Sequence, residues 1–229
     1  MILFLRTILS DKPVVLIGLC LLSIVAFMMG AWFVASAFAD ESQLAKRIAA
    51  DLNPSKDRSM FEVVGYSITF VAVVNFMMVF LVHRSRPFFF LTLFSGFLWF
   101  DDAASYHENA GRFLVRTFDL PALSPGLRPQ DTGELVAWAL AGGSLGLVLI
   151  WALRGRIKGD LDVLWLMLSL FAALILCGVV FDFAHVATST NRAVFGFLED
   201  GGELVVLTLI AICAIGAVRN MGKHYAQVA

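Results

Sequence analysis

The residue types able to do chemistry fall in three stretches. "SGFLWFDDAASYHENAGRF" carries Asp101, Asp102, Ser105, His107 and Glu108. "LILCGVVFDFAH" ends in Asp182 and His185, and "FLEDGGEL" carries Glu199, Asp200 and Glu203. All three put acids directly against apolar runs. A bare carboxylate in hydrocarbon costs at least roughly 2.5 to 3.5 kcal/mol, so something positive must be shared among them. Protons, the loop arginines Arg112, Arg116 and Arg192, and a bound cation are the candidates.

On continuous helices the spacing aligns these groups. Asp101, Ser105 and Glu108 follow i, i+4, i+7; Asp182 and His185 are i, i+3; Glu199 and Glu203 are i, i+4. Asp102 and His107 flank the first stripe on opposite sides, so one of the two joins it. Carboxylates and imidazoles at such spacing are a way for a helix bundle to hold one or two divalent metals, and Asp182-Phe183-Ala184-His185 has the acid-x-x-His form. The expected ligands are Asp101, Asp102, His107, Asp182, His185, Glu199 and Glu203, with Glu108 and Ser105 as candidate catalytic groups. Zinc, iron, manganese and calcium all fit such a mixed donor set. The crowd of carboxylates argues against haem between His107 and His185.

Bland readings stand beside this one. Glu134, after Asp131 and Thr132, suits ordinary capping at a helix start; Glu199 and Asp200 have the same excuse. Glu62 can be a solvated interfacial acid. Cys20, Cys177 and Cys213 are odd in number, lie in apolar runs, and read as small packing residues.

The elements that must position these groups are transmembrane helices. Of 229 residues 59% are hydrophobic and 15% charged, against roughly 45 to 50% and 25% in a soluble domain; mean hydropathy is +0.83. The expected fold is all-α: a polytopic bundle of about six spans in one domain, near 14–39, 61–82, 88–110, 132–153, 161–187 and 199–218. The first run is about 25 residues, longer than a signal-peptide core of roughly 7 to 15, and reads as a retained span. A formal net charge of −1 offers no basic surface for nucleic acid.

Nine of the 17 Lys and Arg crowd the short segments on one side, including "HRSRP" and "RGRIKGD", which places both termini in the cytoplasm. Rise per residue then carries Asp101 about 21 Å from the cytoplasmic end of its span, into the outer leaflet. Gly142-x-x-x-Gly146 offers a small-residue face for another helix, in this chain, in a second copy as a homo-oligomer, or in a partner of a membrane complex. The stretch "ESQLAKRIAADLNPSKDRS" is either a short surface helix or a solvated loop.

With D-D-x4-H-E at Asp101 to Glu108 and paired acids at Glu199 to Glu203, the chain resembles uncharacterised bacterial multi-span membrane proteins that carry the same two features. It is similar, more distantly, to membrane hydrolases related to alkaline ceramidases, whose zinc site uses three histidines, an aspartate and a serine. Ser105, His107, Asp182 and His185 echo that set, but a third outer histidine is absent and the span count is one short.

Three function classes follow. The first is a metalloprotein of the bacterial inner membrane with its site in the outer leaflet, a metal-dependent hydrolase or oxidoreductase acting on a lipid-like or periplasmic substrate. The second is a cation or proton transporter, for which the inner halves of the spans offer few polar groups, Asn75 and Ser169 among them. The third is a structural or accessory subunit whose acids lock helices together through protons, calcium or loop arginines.

Overall fold

The structure is a computed structural model that describes residues 1–53, 56, 59–123, 128–154, 158–181 and 197–228. Among the described residues it contains α-helix, two π-helical turns and no strand. The helices are α1 (Ile2–Ser10), α2 (Lys12–Ala37), α3 (Gln43–Asp51), α4 (Met60–His83), α5 (Arg86–Ala104), α6 (Tyr106–Phe118), α7 (Pro129–Leu153), α8 (Lys158–Ile175) and α9 (Gly202–Val228). The π-helical turns are Leu176–Phe181, continuing α8, and Phe197–Gly201, leading into α9.

Local chemistry places the boundaries. Proline stands in the first two positions of α2, α5 and α7, where its missing N–H is no loss. Ser59 caps α4 by accepting from Glu62 N at 3.4 Å, and Ser42 caps α3 by accepting from Ala45 N at the same distance. Asp131 lies one turn inside α7 and accepts from Arg128 N at 2.7 Å, so that helix begins at Pro129, three residues before the expected span start at 132.

Among the described residues five helical stretches are long and apolar enough to cross a membrane: Lys12–Ala37, Met60–His83, Pro129–Leu153, Gly159–Gly178 and Leu198–Gly222. This is a multi-pass membrane protein. The third expected span, 88–110, is not one helix. It divides at Ser105, leaving α5, about 28 Å long by its 19 residues, and a separate amphipathic α6. The fifth was expected to reach Ala187; helix is described to Phe181 and the remainder lies outside the described residues.

α9 is the axis of the bundle, with 61% of its span buried against 11% for α7 at the periphery. Leu204, Leu207, Ile210, Ala211, Ala214 and Ala217 line it, and α4, α8, α2 and α1 pack around them. Small residues let neighbours come close: a Cβ at Gly216 would meet Ile8 Cγ1 of α1 at 2.7 Å.

Polar ties gather at one end. Met1 N pairs with Asp162 at 2.6 Å, Asp11 accepts from Arg219 at 3.2 Å and from Asn220 at 2.9 Å, and the buried Asp160 accepts from Ser85 at 2.5 Å. The start of the chain, the 83–86 hairpin, the start of α8 and the later part of α9 therefore share that end. The chain alternates, so Glu62, Asp101, Glu134 and Glu203 belong to the other. By contrast a Cβ at Gly142 or Gly146 would meet nothing within 4 Å, so among the described residues no helix packs closely on that face.

Candidate histidine–carboxylate site

The site begins with a helix break. Ser105 adopts φ +46°, the left-handed region, and serves both as the end of α5 and the start of α6. A residue in that conformation gives α6 no side-chain cap, leaving its first N–H groups in need of acceptors. Asp101, one turn back in α5, supplies one. Its Oδ1 accepts from His107 N at 2.9 Å, and its Oδ2 lies 2.9 Å from His107 Nδ1. Asp101 is 1% exposed and the histidine side chain 30%. The break thus replaces the expected straight stripe of Asp101, Ser105 and Glu108 with a fold-back, and it is His107 that joins Asp101.

Neighbouring helices frame the pair. A Cβ on Gly111 would meet Glu134 N at 2.8 Å, and one on Gly133 would run into the Gly111 carbonyl oxygen. Backbones of α6 and α7 therefore touch, bringing Glu134 within electrostatic reach of the imidazole. Trp138 faces His107 with ring centres 6.0 Å apart, Phe97 meets Trp138 edge-on at 5.6 Å, and Tyr106 meets Phe97 at 5.9 Å. Aromatic rings thus stand near the imidazole while Asp101 takes its Nδ1. Asp102 is within electrostatic reach of Asp101, His107 and Glu62.

Counter-charges are local. Arg112 reaches Glu108 at 3.3 Å and Asn109 Oδ1 at 2.7 Å; Gln130 donates to Glu134 at 2.7 Å; Arg128 holds Asp131 at 2.7 Å. Glu108, a candidate catalytic group, is held in an ion pair, and Ser105, the other, is the hinge itself. Burial alone pulls the His107 imidazole down, but its bond to Asp101 and the charges of Asp101, Glu134 and Glu108 outweigh that and hold it above its ordinary value.

Glu199 and Glu203, also expected as ligands, belong to other elements than this pair. Asp182 and His185 lie outside the described residues. Glu203 packs in the first turn of α9, where a Cβ on Gly178 would collide with its Oε1, and a Cβ on Gly202 would meet Cys177 Sγ at 2.8 Å. Glu199 and Asp200 sit half-buried in the preceding π-helical turn, each with interactions of its own. Among the described residues, no three of His, Cys, Asp and Glu converge as a metal site. Cys177 and Cys213 are buried packing residues as expected, whereas Cys20 is exposed on α2.

Trp138, Gly111 and Gly133 were not singled out from sequence. Their signal was faint: Gly111 stands one turn after His107, and Gly133 and Trp138 flank Glu134 on α7. Polar groups toward the opposite end look inward to their own backbones, Asn75 donating to the Val71 carbonyl at 2.8 Å and Ser169 to Trp165 at 3.0 Å.

No curated protein and no solved structure matches the chain. A family model described as "Domain of unknown function (DUF8692)" matches residues 19–217. With most of its length inside that match, the chain belongs to the DUF8692 family.

Proposed function

We propose that the chain is a structural or accessory protein of the bacterial inner membrane, and that its polar end is a charge-locked helix junction facing the periplasm. The observation that carries this is Asp101: almost wholly buried, it spends both carboxylate oxygens on His107, joining the end of α5 to the start of α6. Arg112 on Glu108 and Arg128 on Asp131 neutralise neighbouring acids in the same local way. Asp101, Glu108 and Asp131 then each find their compensation within a turn or two, from a proton on His107 or from an arginine.

A metal-binding reading keeps one observation in its favour. A carboxylate on Nδ1 is how ligating imidazoles are commonly oriented, leaving Nε2 as the donor. His107 would then be the ligand and Asp101 its support, with further ligands from Asp182 and His185. Metal analysis of the purified full chain separates the two. The junction reading expects no stoichiometric zinc, iron, manganese or calcium, and lowered stability in His107→Gln. One equivalent of metal, lost in His107→Ala, would replace it with the metalloprotein reading.

A further inference from the structure

We propose that α3 is a headgroup clamp: it lies in the membrane interface and holds an anionic phospholipid through Lys46 and Arg47. Gln43, Lys46, Arg47 and Ala50 follow i, i+3, i+4, i+7 and share one face. With Leu44 at their edge they line a shallow, open depression of the surface. Among the described residues neither Lys46 nor Arg47 has an ion-pair partner. Two adjacent cations beside an amide donor suit a phosphodiester, which offers acceptor oxygens and one negative charge.

The other face says which source of phosphate fits. Leu44 is 68% exposed and Ile48 37%, and they lie a turn apart. In water such a stripe would be a liability, whereas at a bilayer surface it buries in the acyl boundary while the basic face stays among headgroups. Position agrees: α3 follows within a few residues of the end of the spanning α2 and packs against it, and Leu52 just beyond α3 packs on the bundle core. Ser42 caps the helix by accepting from Ala45 N, which favours its first turn.

The test uses the full chain in a zwitterionic detergent, titrated with dihexanoyl phosphatidylglycerol, dihexanoyl phosphatidylcholine or inorganic phosphate, with bound lipid counted by native mass spectrometry. The expected result is at least tenfold tighter binding of the glycerol lipid than of the choline lipid. Lys46→Gln plus Arg47→Gln should weaken it about thirtyfold, roughly fivefold for each basic group, with no change in melting temperature. Lys46→Arg plus Arg47→Lys should keep it. Equal binding of the two lipids, unchanged binding in the double Gln variant, or full competition by equimolar phosphate would each overturn the proposal.

Discussion

At the scale of single residues, His107 carries the pH dependence. Its imidazole is held above the ordinary value of 6.5, so the folded state binds the proton more tightly than the unfolded chain does. The stability this adds is complete below pH 6.5 and is lost as pH rises through the folded-state value. Melting temperature should therefore fall from pH 6 to 9 in the wild type and show a shallower fall in His107→Gln; equal slopes would mean the imidazole is not the group that titrates. Asp101→Ala removes the acceptor of a first-turn N–H in α6 and should cost about 2 to 3 kcal/mol, read by unfolding in detergent. Ser95 is a contrasting case. Its Oγ is buried and has no hydrogen-bond partner among the described residues, so Ser95→Ala should be neutral or stabilising by about 1 kcal/mol.

At the scale of elements, the α6–α7 contact and the open face of α7 make opposite predictions for the same substitution. Gly133→Ala places a methyl against the Gly111 carbonyl and Val115, and should destabilise by about 1 to 3 kcal/mol. Gly142→Ala with Gly146→Ala meets nothing within 4 Å and gains helix propensity, roughly 0.5 to 1 kcal/mol each. A loss from the second pair would report a partner helix from another chain. These elements also mark what was legible in the sequence. Spans of twenty or more largely apolar residues, α2, α4 and α7, stand close to where hydropathy puts them, because lipid and backbone hydrogen bonding leave no alternative to helix. The break at Ser105 was not legible, since no Gly or Pro announces it. Apolar residues stop at Phe100, and only the tertiary capture of the His107 N–H by Asp101 makes the fold-back favourable. For the same reason the candidate site was half legible: its residue types were visible, but which acid met which cation depended on that turn. Sequence reasoning saw Asp101 and His107 as partners in one site, and the geometry adds that they are hydrogen-bonded to each other.

At the scale of the whole molecule, charge asymmetry makes an orientation testable. Met1, Asp11, the 83–86 hairpin, Asp160, Asp162 and Arg219 form one polar end, tied by Met1–Asp162, Ser85–Asp160 and Asp11–Arg219. Arg6, Lys12, Arg84, Arg86 and Arg219 are at that end, in short connections where positive charge holds a segment in the cytoplasm. The opposite end carries α3, α6 and the Asp101–His107 pair. Orientation follows as an expected labelling pattern, read with a membrane-impermeant maleimide on intact cells and on lysed cells. Cys20, Cys177 and Cys213 lie within spans and are replaced first. In a Cys-free background, Gln43→Cys on α3 and Arg116→Cys on α6 should label in intact cells once the outer membrane is permeabilised. Arg84→Cys should label only after lysis. The reverse pattern would put the histidine–carboxylate junction and the α3 lipid clamp in the cytoplasm. That would sink the periplasmic placement while leaving the pairing of Asp101 with His107 intact, since the pairing depends on the turn at Ser105 and not on which compartment it faces.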